Sequence, residues 1–253
     1  MNKEQAGCLS FVAVNILLTA IFILVAVVLI MSLAAEIKFN HAQKLADGYL
    51  WQKAEKKFSE AIRMDPFNAS YLAGYGNFLR SIAPYRDNKV FLFQQAEKLY
   101  KRAAGLDPLN AQYPLGIGEI KLKLFLIDKD KEELKESLEY FKRALKNDPN
   151  GFNISYEIGY NGLEAWPYLD TEFKKLIIER LGYTLVQRVW YWEYIYPWVW
   201  QNTNDFEVLE RITPSNEEAH RDLLYFIENN NLYQFYHRET EKDFLPVRYG
   251  KPY

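Results

Sequence analysis

The segment AEKKFSEAIRMDP, residues 54–66, decides the fold because its pattern occurs three times in the chain. It returns as AEKLYKRAAGLDP at 96–108 and as SLEYFKRALKNDP at 137–149. The three prolines lie 42 and 41 residues apart. A period of this length is typical of stacked supersecondary units, so we expect a repeat protein built from helices.

Each copy of the pattern has the features of a closely packed helix with a fixed end. In the first copy, Ala54 and Ala61 clear one stripe of the helix, and Phe58 fills the space between them. Proline cannot continue a helix, and the aspartate before it is pushed out of the α region. We therefore predict that a helix ends at each Asp-Pro pair.

A glycine also recurs at a fixed distance after each Asp-Pro pair. Gly76, Gly118 and Gly159 each lie ten residues after one of the three prolines. Glycine inside a helix costs about 1 kcal/mol relative to alanine, so close packing is the expected compensation. The arrangement resembles the tetratricopeptide repeat, whose first helix carries a small residue here and whose second helix carries alanine, an aromatic residue, alanine and then proline. This resemblance implies an all-α fold in which helical hairpins stack into a solenoid.

The chain departs from that family in its spacing and at three positions. The family's period is about 34 residues, and the surplus here falls in the polar stretches 84–88 and 128–131, which we interpret as lengthened loops. Leu72 and Pro114 stand where the family has an aromatic residue, and Ser137 replaces an alanine. These changes weaken the pattern without removing it.

We divide the chain into a tail, a membrane anchor, three repeats, a divergent fourth repeat, an aromatic-rich helical cap and a second tail. The expected bounds are 1–8, 9–35, 36–150 (repeats 36–68, 69–110 and 111–150), 151–188, 189–243 and 244–253, in that order. The fourth repeat is recognised by Tyr156, Gly159 and Tyr160.

The predicted anchor is the apolar run near the N-terminus. Residues 11–31 carry no charge and include fifteen Leu, Ile, Val or Phe residues. As a helix they span roughly 31 Å, and at about −0.4 kcal/mol each the large apolar residues favour insertion by on the order of 6 kcal/mol. A signal peptide cleaved near 32–34 is the alternative, but signal h-regions have only about 7–15 residues. We predict an uncleaved single-pass anchor in the lipid bilayer.

Two rules give opposite predictions for the side of the membrane that carries the repeats. Lys3 precedes the span, whereas five lysines follow it within 38–57, so the positive-inside rule places the repeats in the cytoplasm. However, a short N-terminal tail commonly leads the next domain across, and long domains translocate largely regardless of charge. We expect an extracytoplasmic repeat domain. Since 32–47 contains neither proline nor glycine, we also expect the span to continue into the first repeat without a linker.

Composition excludes several function classes. The net charge is −2 and no basic block is present, so we expect no nucleic-acid partner. Cys8 is the only cysteine, and His41, His220 and His237 are scattered, with no metal-ligand spacing, phosphate loop or nucleophile elbow. We interpret His220 as an exposed helix-face residue rather than a metal ligand. The sequence therefore predicts a protein that is not an enzyme and needs no cofactor or metal.

An aromatic cluster occupies 189–200 and contains Trp190, Trp192, Trp198 and Trp200. Such rings supply large contact area with a polar handle. One interpretation is a capping core that closes the end of the repeats. The others are a platform for a glycan or peptide, and a contact with the membrane interface.

The C-terminal region is expected to form one more helical hairpin. Ser215 is placed as an N-cap with Glu218 completing a capping box, and the second helix is expected to start at 232–236. This region loosely resembles the C-terminal helical regions of bacterial repeat proteins associated with O-antigen ligase-like membrane proteins. Asn68 and Asn153 fit the glycosylation pattern, but we predict that both are helix N-caps.

If the tetratricopeptide resemblance holds, first-helix positions line a concave face that binds a protein partner as a peptide or helix. These positions are Asn77, Arg80, Glu119, Leu122, Lys123, Tyr156, Tyr160 and Leu163. We expect a non-enzymatic, membrane-anchored adaptor in cell-envelope or surface-polysaccharide assembly. The alternative is a carbohydrate-binding or carbohydrate-active protein that uses the tryptophan cluster.

Overall fold

The structure is a computed structural model that describes residues 3–235, apart from the side chains of 3–14, 16, 189 and 234. The described residues form helices only. The helices are α1 (Lys3–Asp47), α2 (Trp51–Met64), α3 (Ala69–Ile82), α4 (Lys89–Leu106), α5 (Gln112–Asp128), α6 (Lys131–Asn147), α7 (Phe152–Gly162), α8 (Thr171–Gln187), α9 (Trp192–Thr203), α10 (Phe206–Ile212) and α11 (Glu217–Asn229). Short 3-10 helices cover Ala83–Tyr85, Leu163–Tyr168, Val189–Tyr191 and Tyr233–Phe235. The chain divides into two compact units, Met1–Pro108 and Leu109–Tyr253.

In the first unit, α1 pairs with α2 and α3 pairs with α4. The predicted seam residues Ala54, Phe58 and Ala61 of α2 are buried. A methyl group at Gly76 of α3 would lie 3.1 Å from the ring of Tyr100 on α4. These contacts confirm the predicted role of the small and aromatic residues, which is to let paired helices approach closely.

An ion pair joins the two helices of the first hairpin. Lys38 Nζ of α1 and Lys57 Nζ of α2 donate hydrogen bonds to Glu60 Oε2, at 2.7 and 2.9 Å. These hydrogen bonds lower the pKa of Glu60 from its usual 4.5 to about 2. The same contact places Lys38 and Glu60 at the same level of the hairpin.

The Asp-Pro pairs end their helices as predicted. Asp65, Asp107 and Asp148 are the C-cap residues of α2, α4 and α6, with φ of −136°, −137° and −143°. Each caps by donating its backbone N–H to the carbonyl of the last seam alanine, four residues earlier. Three copies of one local sequence thus give three copies of one local geometry, because the constraint on the residue before proline is local.

In the second unit, α5 pairs with α6 and α7 pairs with α8. Gly118 of α5 lies against the buried ring of Phe141, and Gly159 of α7 lies against Leu181. Ser137, which replaces a seam alanine, donates its hydroxyl to the backbone O of Gly118 at 2.8 Å. The serine is therefore compatible with the seam because its polar atom is satisfied.

Cap positions confirm one expectation and correct two. Asn68 caps α3, because its side chain accepts from the N–H groups of Ser70 and Tyr71. Asn153 is not a cap: it lies inside α7, whose N-cap is Gly151 and has no side-chain cap bond.

Ser215 is not a cap either. The N-cap of α11 is Asn216, which has extended backbone and accepts from the N–H of Ala219. The start of α11 is thus one residue later than the capping box predicts. The expected partner helix at 232–236 is a 3-10 turn over Tyr233–Phe235 within the described residues, and the segment beyond 235 lies outside them.

The first helix is continuous from Lys3 to Asp47, which confirms that the apolar run joins the first hairpin without a linker. Within the described residues, α1 is the one helix long and apolar enough to cross a membrane. Its large side chains from Leu17 onward are exposed, Phe22 at 74%. Burial begins at Ala35 and continues at Phe39 and Ala42, the positions that face α2 and α3.

Candidate functional site

Two of the predicted partner-binding residues lie in the first unit. Asn77 is exposed on α3, and Arg80 Nη2 donates a hydrogen bond to Asn77 Oδ1 at 2.9 Å. Residues three apart on a helix are neighbours, so this pair is local to one helix turn. It presents an amide and a guanidinium to solvent.

Two predicted residues in the second unit are placed away from the surface. Leu122 and Leu163 are both fully buried, and both belong to the hydrophobic core of this unit. Their inclusion in a partner-binding face is wrong, because a side chain without solvent exposure cannot contact a partner directly. Leu163 also begins a 3-10 helix, so the α-helical register that placed it on the face ends at Gly162.

The structure joins Glu119 and Lys123 of α5 to residues that the sequence analysis missed. Asn161 Nδ2 donates to Glu119 Oε1 at 3.1 Å and to Glu157 Oε2 at 2.9 Å. Lys123 Nζ donates to both carboxylate oxygens of Glu164, at 2.6 and 2.5 Å. We call these five residues the polar row. Glu157, Asn161 and Glu164 follow each other at helical spacing, which was the available sequence signal.

Burial differs along the polar row. The Glu119 side chain is buried at 3% exposure, so its inclusion in a partner-binding face is wrong for the same reason as that of Leu122, and its hydrogen bond with Asn161 orients the amide. Lys123 and Glu164 keep 29% and 27% of their side-chain surface, which leaves charged atoms available to solvent. The polar row therefore combines a fixed inner hydrogen bond with a partly exposed ion pair.

Beside the polar row, Tyr156 and Tyr160 form part of a continuous stack of rings. Phe152, Tyr156 and Tyr160 stack in sequence along α7, with centroids 6.4 and 5.3 Å apart. Trp198 of α9 continues the stack at 5.0 Å from Tyr160, and its Nε1 donates to the Tyr160 backbone O at 2.9 Å. We call these four residues the aromatic strip. Tyr191 lies edge-on to Phe152 and Tyr156, at 5.1 and 5.2 Å.

The Tyr156 hydroxyl of the strip is a hydrogen-bond donor at neutral pH rather than a base. Burial, followed by the nearby Tyr160 and Glu157, raises the pKa of the Tyr156 hydroxyl to about 12. The hydroxyl therefore stays protonated at neutral pH. The Arg188 guanidinium lies 4.3 Å above the ring of Phe152, so one end of the strip carries a cation.

The four tryptophans of the 189–200 cluster do not form one platform. Trp192, Trp198 and Trp200 pack against the core of the second unit, and Trp192 and Trp200 contact Tyr225 and Phe235 edge-on. Trp190 is different, because 57% of its surface is exposed. The packed tryptophans favour the capping interpretation, and Trp190 remains available to a ligand.

A separate cavity of about 660 Å³ lies in the second unit and was not predicted. Phe125, Leu134, Leu138, Tyr168 and Phe173 contribute its apolar lining, and Lys129, Lys131, Lys135 and Asp170 its charged groups. Lys129 Nζ lies 4.2 Å above the ring of Tyr168. The cavity shares no residue with the aromatic strip or the polar row.

Metal-ligating residues do not converge in the described part of the chain, where no group of three or more His, Cys, Asp or Glu side chains could hold an ion. His220 is buried at 8% exposure, so its interpretation as an exposed helix-face residue is wrong. It lies on the side of α11 that faces the core, next to Ala219 and Leu223.

No protein-family model matches the sequence, and no curated protein matches it. Among solved structures, the chain is similar to the Arabidopsis OM64 TPR domain, with 23% sequence identity, a TM-score of 0.41 and coverage of 50% of this chain and 93% of that domain. It is also similar to the crystal structure of MamA protein, with 15% identity, a TM-score of 0.46 and coverage of 82% and 88%. The described residues form helices only, and these helices pair as hairpins within each unit, so the predicted all-α fold class is confirmed.

Proposed function

We propose that the chain is a membrane-anchored scaffold that binds another protein through its helical repeats and has no catalytic activity of its own. The aromatic strip is the single observation that carries this proposal. Four stacked rings with partial exposure form a rigid apolar surface on α7 and α9. Aromatic side chains of this kind are enriched at protein interfaces, because they bury large area at little conformational cost.

The polar row supports a protein ligand rather than a purely apolar one. Lys123 and Glu164 offer both charge signs beside the rings, and Tyr156 offers a protonated hydroxyl. A peptide or helix with apolar side chains on one face and charged side chains beside them would match this pattern. Asn77 and Arg80 of the first unit remain proposed partner contacts of that unit.

Photo-crosslinking in native membranes tests the proposal. A benzoylphenylalanine placed at Tyr156 keeps an aromatic ring at the strip, and one placed at the exposed Tyr85 of the first unit serves as the control. We expect a reproducible protein adduct from position 156 at several times the yield from position 85. Equal yields at the two positions would contradict the assignment of the strip as the binding surface.

A charge-swapped pair adds a control for folding. Lys123→Glu combined with Glu164→Lys retains an intramolecular ion pair while it reverses the charges shown to the partner. We expect the adduct at position 156 to disappear in the swapped variant. The free energy of unfolding should change by no more than about 1 kcal/mol, the range expected for an exposed ion pair. An adduct that survives the swap would argue for a partner that ignores the polar row.

The anchor and its orientation are part of the proposal. The length, apolar composition and exposure of α1 support insertion into a bilayer. We keep an extracytoplasmic repeat domain as the proposed orientation, because long domains translocate largely regardless of charge. The loose resemblance of the C-terminal region supports a role in envelope or surface-polysaccharide assembly. Protease protection in sealed vesicles, read at the exposed turns of the repeats, decides the orientation.

Carbohydrate binding is the second candidate, and one observation favours it. Trp190 and Tyr194 are exposed at 57% and 58%, and both rings lie close to Tyr191. Exposed ring faces can stack on sugars. The informative variants are Trp190→Ala and Tyr194→Ala, since Trp198 and Trp200 pack against the core of the second unit and their loss would disturb the fold. Glycan binding that is present in the native chain and absent from both variants would favour this candidate over a protein partner.

A further inference from the structure

No polar spacer separates the apolar part of α1 from the part of the same helix that packs in the first hairpin. No charged residue occurs in α1 between Glu4 and Glu36. Burial against the first hairpin already begins at Ala35, while Leu33 is still exposed to its surroundings. The repeats therefore start where the apolar helix ends, without an intervening polar turn.

The register of α1 against α2 shows which residues lie at that level. Lys38 pairs with Glu60, and the ring of Phe39 lies 5.4 Å from that of Phe58. The two helices run in opposite directions, so moving toward the C-terminus of α2 moves back along α1. Met64, the last residue of α2, is therefore level with about Ala34, and the turn that holds Phe67 extends about one helical turn further into the apolar part.

The apolar stretch is long enough to bring this turn to the bilayer. Residues 9–35 comprise 27 residues and measure about 40 Å as a helix. The hydrocarbon core is about 30 Å thick and each headgroup layer adds about 5–8 Å. Even a strongly tilted helix then has its C-terminal apolar residues at the hydrocarbon boundary. The turn beside them lies within the headgroup layer.

The side chains at this end suit a lipid interface. Phe67 is 79% exposed in the Asp-Pro turn after α2, and Arg63 is exposed one turn before it. The end of α4 lies at the same level, because Gly76 in the middle of α3 contacts Tyr100, six residues before Leu106. Leu106 is 43% exposed and Arg102 precedes it on an exposed position. Apolar side chains beside arginines are the composition that interfacial surfaces use, with the guanidinium groups reaching the headgroups.

We propose that the Asp-Pro end of the first unit is a second membrane contact, in which Phe67 and Leu106 insert at the headgroup–acyl boundary. This inference rests on the proposed anchor and goes beyond it, since an anchor alone requires no contact between repeats and lipid. Two contact points fix the tilt of the first unit relative to the bilayer. The opposite end of the unit, which carries Trp51 and Tyr85, then points away from the membrane.

Depth-dependent quenching tests the proposal on the full chain. In a Cys8→Ser background, single cysteines replace Phe67, Tyr85 or Phe22 and carry an environment-sensitive nitrobenzoxadiazole label. The protein is reconstituted into phosphatidylcholine vesicles with lipids that bear a quencher near the headgroup or deep in the acyl chain. Phe67 and Tyr85 are matched controls, because they are exposed at 79% and 73% on opposite ends of the same unit.

We expect strong quenching of the Phe67 label by the shallow quencher, strong quenching of the Phe22 label by the deep one, and at least a fivefold weaker effect at Tyr85. A Phe67 label that behaves like the Tyr85 label while Phe22 is quenched would overturn the second contact and leave the anchor intact. An unquenched Phe22 label would overturn the anchor and the second contact together. Equal quenching at all three positions would overturn the proposed orientation of the unit. Far-UV circular dichroism of each labelled variant confirms that the helices are retained.

Discussion

Gly118 offers the sharpest test of the hairpin seam in the second unit. A methyl group at this position would lie 2.6 Å from Cδ1 of Phe141 and 3.2 Å from the backbone O of Ser137. Phe141 is fully buried, and the Ser137 hydroxyl is already hydrogen-bonded to Gly118, so neither neighbour can move freely. Overpacking of this kind costs about 1–3 kcal/mol, whereas alanine gains about 1 kcal/mol of helix propensity. We expect Gly118→Ala to lower the free energy of unfolding by about 0–2 kcal/mol, and Gly118→Val to lower it further.

Gly182 is the matched control in the same unit. A methyl group there would lie 3.5 Å from the nearest atom, the backbone O of Ile212, which is ordinary contact distance. Gly182→Ala should therefore gain up to about 1 kcal/mol from helix propensity alone. The measurement is thermal unfolding of the full chain in detergent, followed by far-UV circular dichroism. A difference of about 1–3 kcal/mol corresponds to several degrees in Tm at this chain length. Equal or higher stability of Gly118→Ala relative to Gly182→Ala would refute the close-packed seam.

Three further predictions follow from local contacts. Asn68→Ala should lower the free energy of unfolding by about 0.5–2 kcal/mol because it removes a helix cap. Asn153→Ala should change it by no more than about 0.5 kcal/mol, since Asn153 is not a cap. Similar losses for the two variants in chemical unfolding would contradict the cap assignments. Trp198→Phe should lower the free energy of unfolding by about 0.5–1.5 kcal/mol, because the hydrogen bond to Tyr160 is lost. Trp190→Phe should leave it almost unchanged, because Trp190 is exposed. Indistinguishable Tm values for the two variants would argue against the geometry of the aromatic strip. Glu60 has a lowered pKa, so its stabilisation is complete above pH 4.5 and is lost as the pH falls toward 2. Glu60→Gln should flatten the dependence of Tm on pH in that window, and an unchanged slope would exclude the ion pair as its source.

Local backbone chemistry explains which parts of the fold could be predicted. The helix ends at the three Asp-Pro pairs follow from proline and the residue before it, whatever surrounds them. The seam glycines could be assigned because a helix tolerates glycine only when packing compensates for it. The cap at Asn216 was missed by one position, because Ser215 and Asn216 are both good caps and sequence alone does not choose between adjacent candidates.

The candidate site was harder to predict because it depends on contacts between helices. The hydrogen bonds of Asn161 join α7 to α5 across 42 residues of sequence, so nothing near Asn161 identifies its partner. Leu122 was assigned to the surface from the family's helix register. In this chain α5 is buried on nearly all of its circumference from Tyr113 to Leu122, so it has no single solvent face there. A register rule holds only where a helix has one buried stripe.

Phe39 connects the exposed apolar part of α1 to the first hairpin more directly than a linker could. Its ring stacks on Tyr71 at 4.7 Å, contacts Phe58 edge-on, and occupies the space in which a side chain at Gly74 would lie. The helix that carries Phe39 is the same helix that carries the exposed apolar run, with no break between them. Any rotation of the apolar part about its own axis therefore moves the core of the first hairpin with it. Because packed cores deform little, the orientation of the apolar part of α1 and that of the first hairpin are mechanically one variable, which is the property that the proposed membrane-anchored scaffold requires.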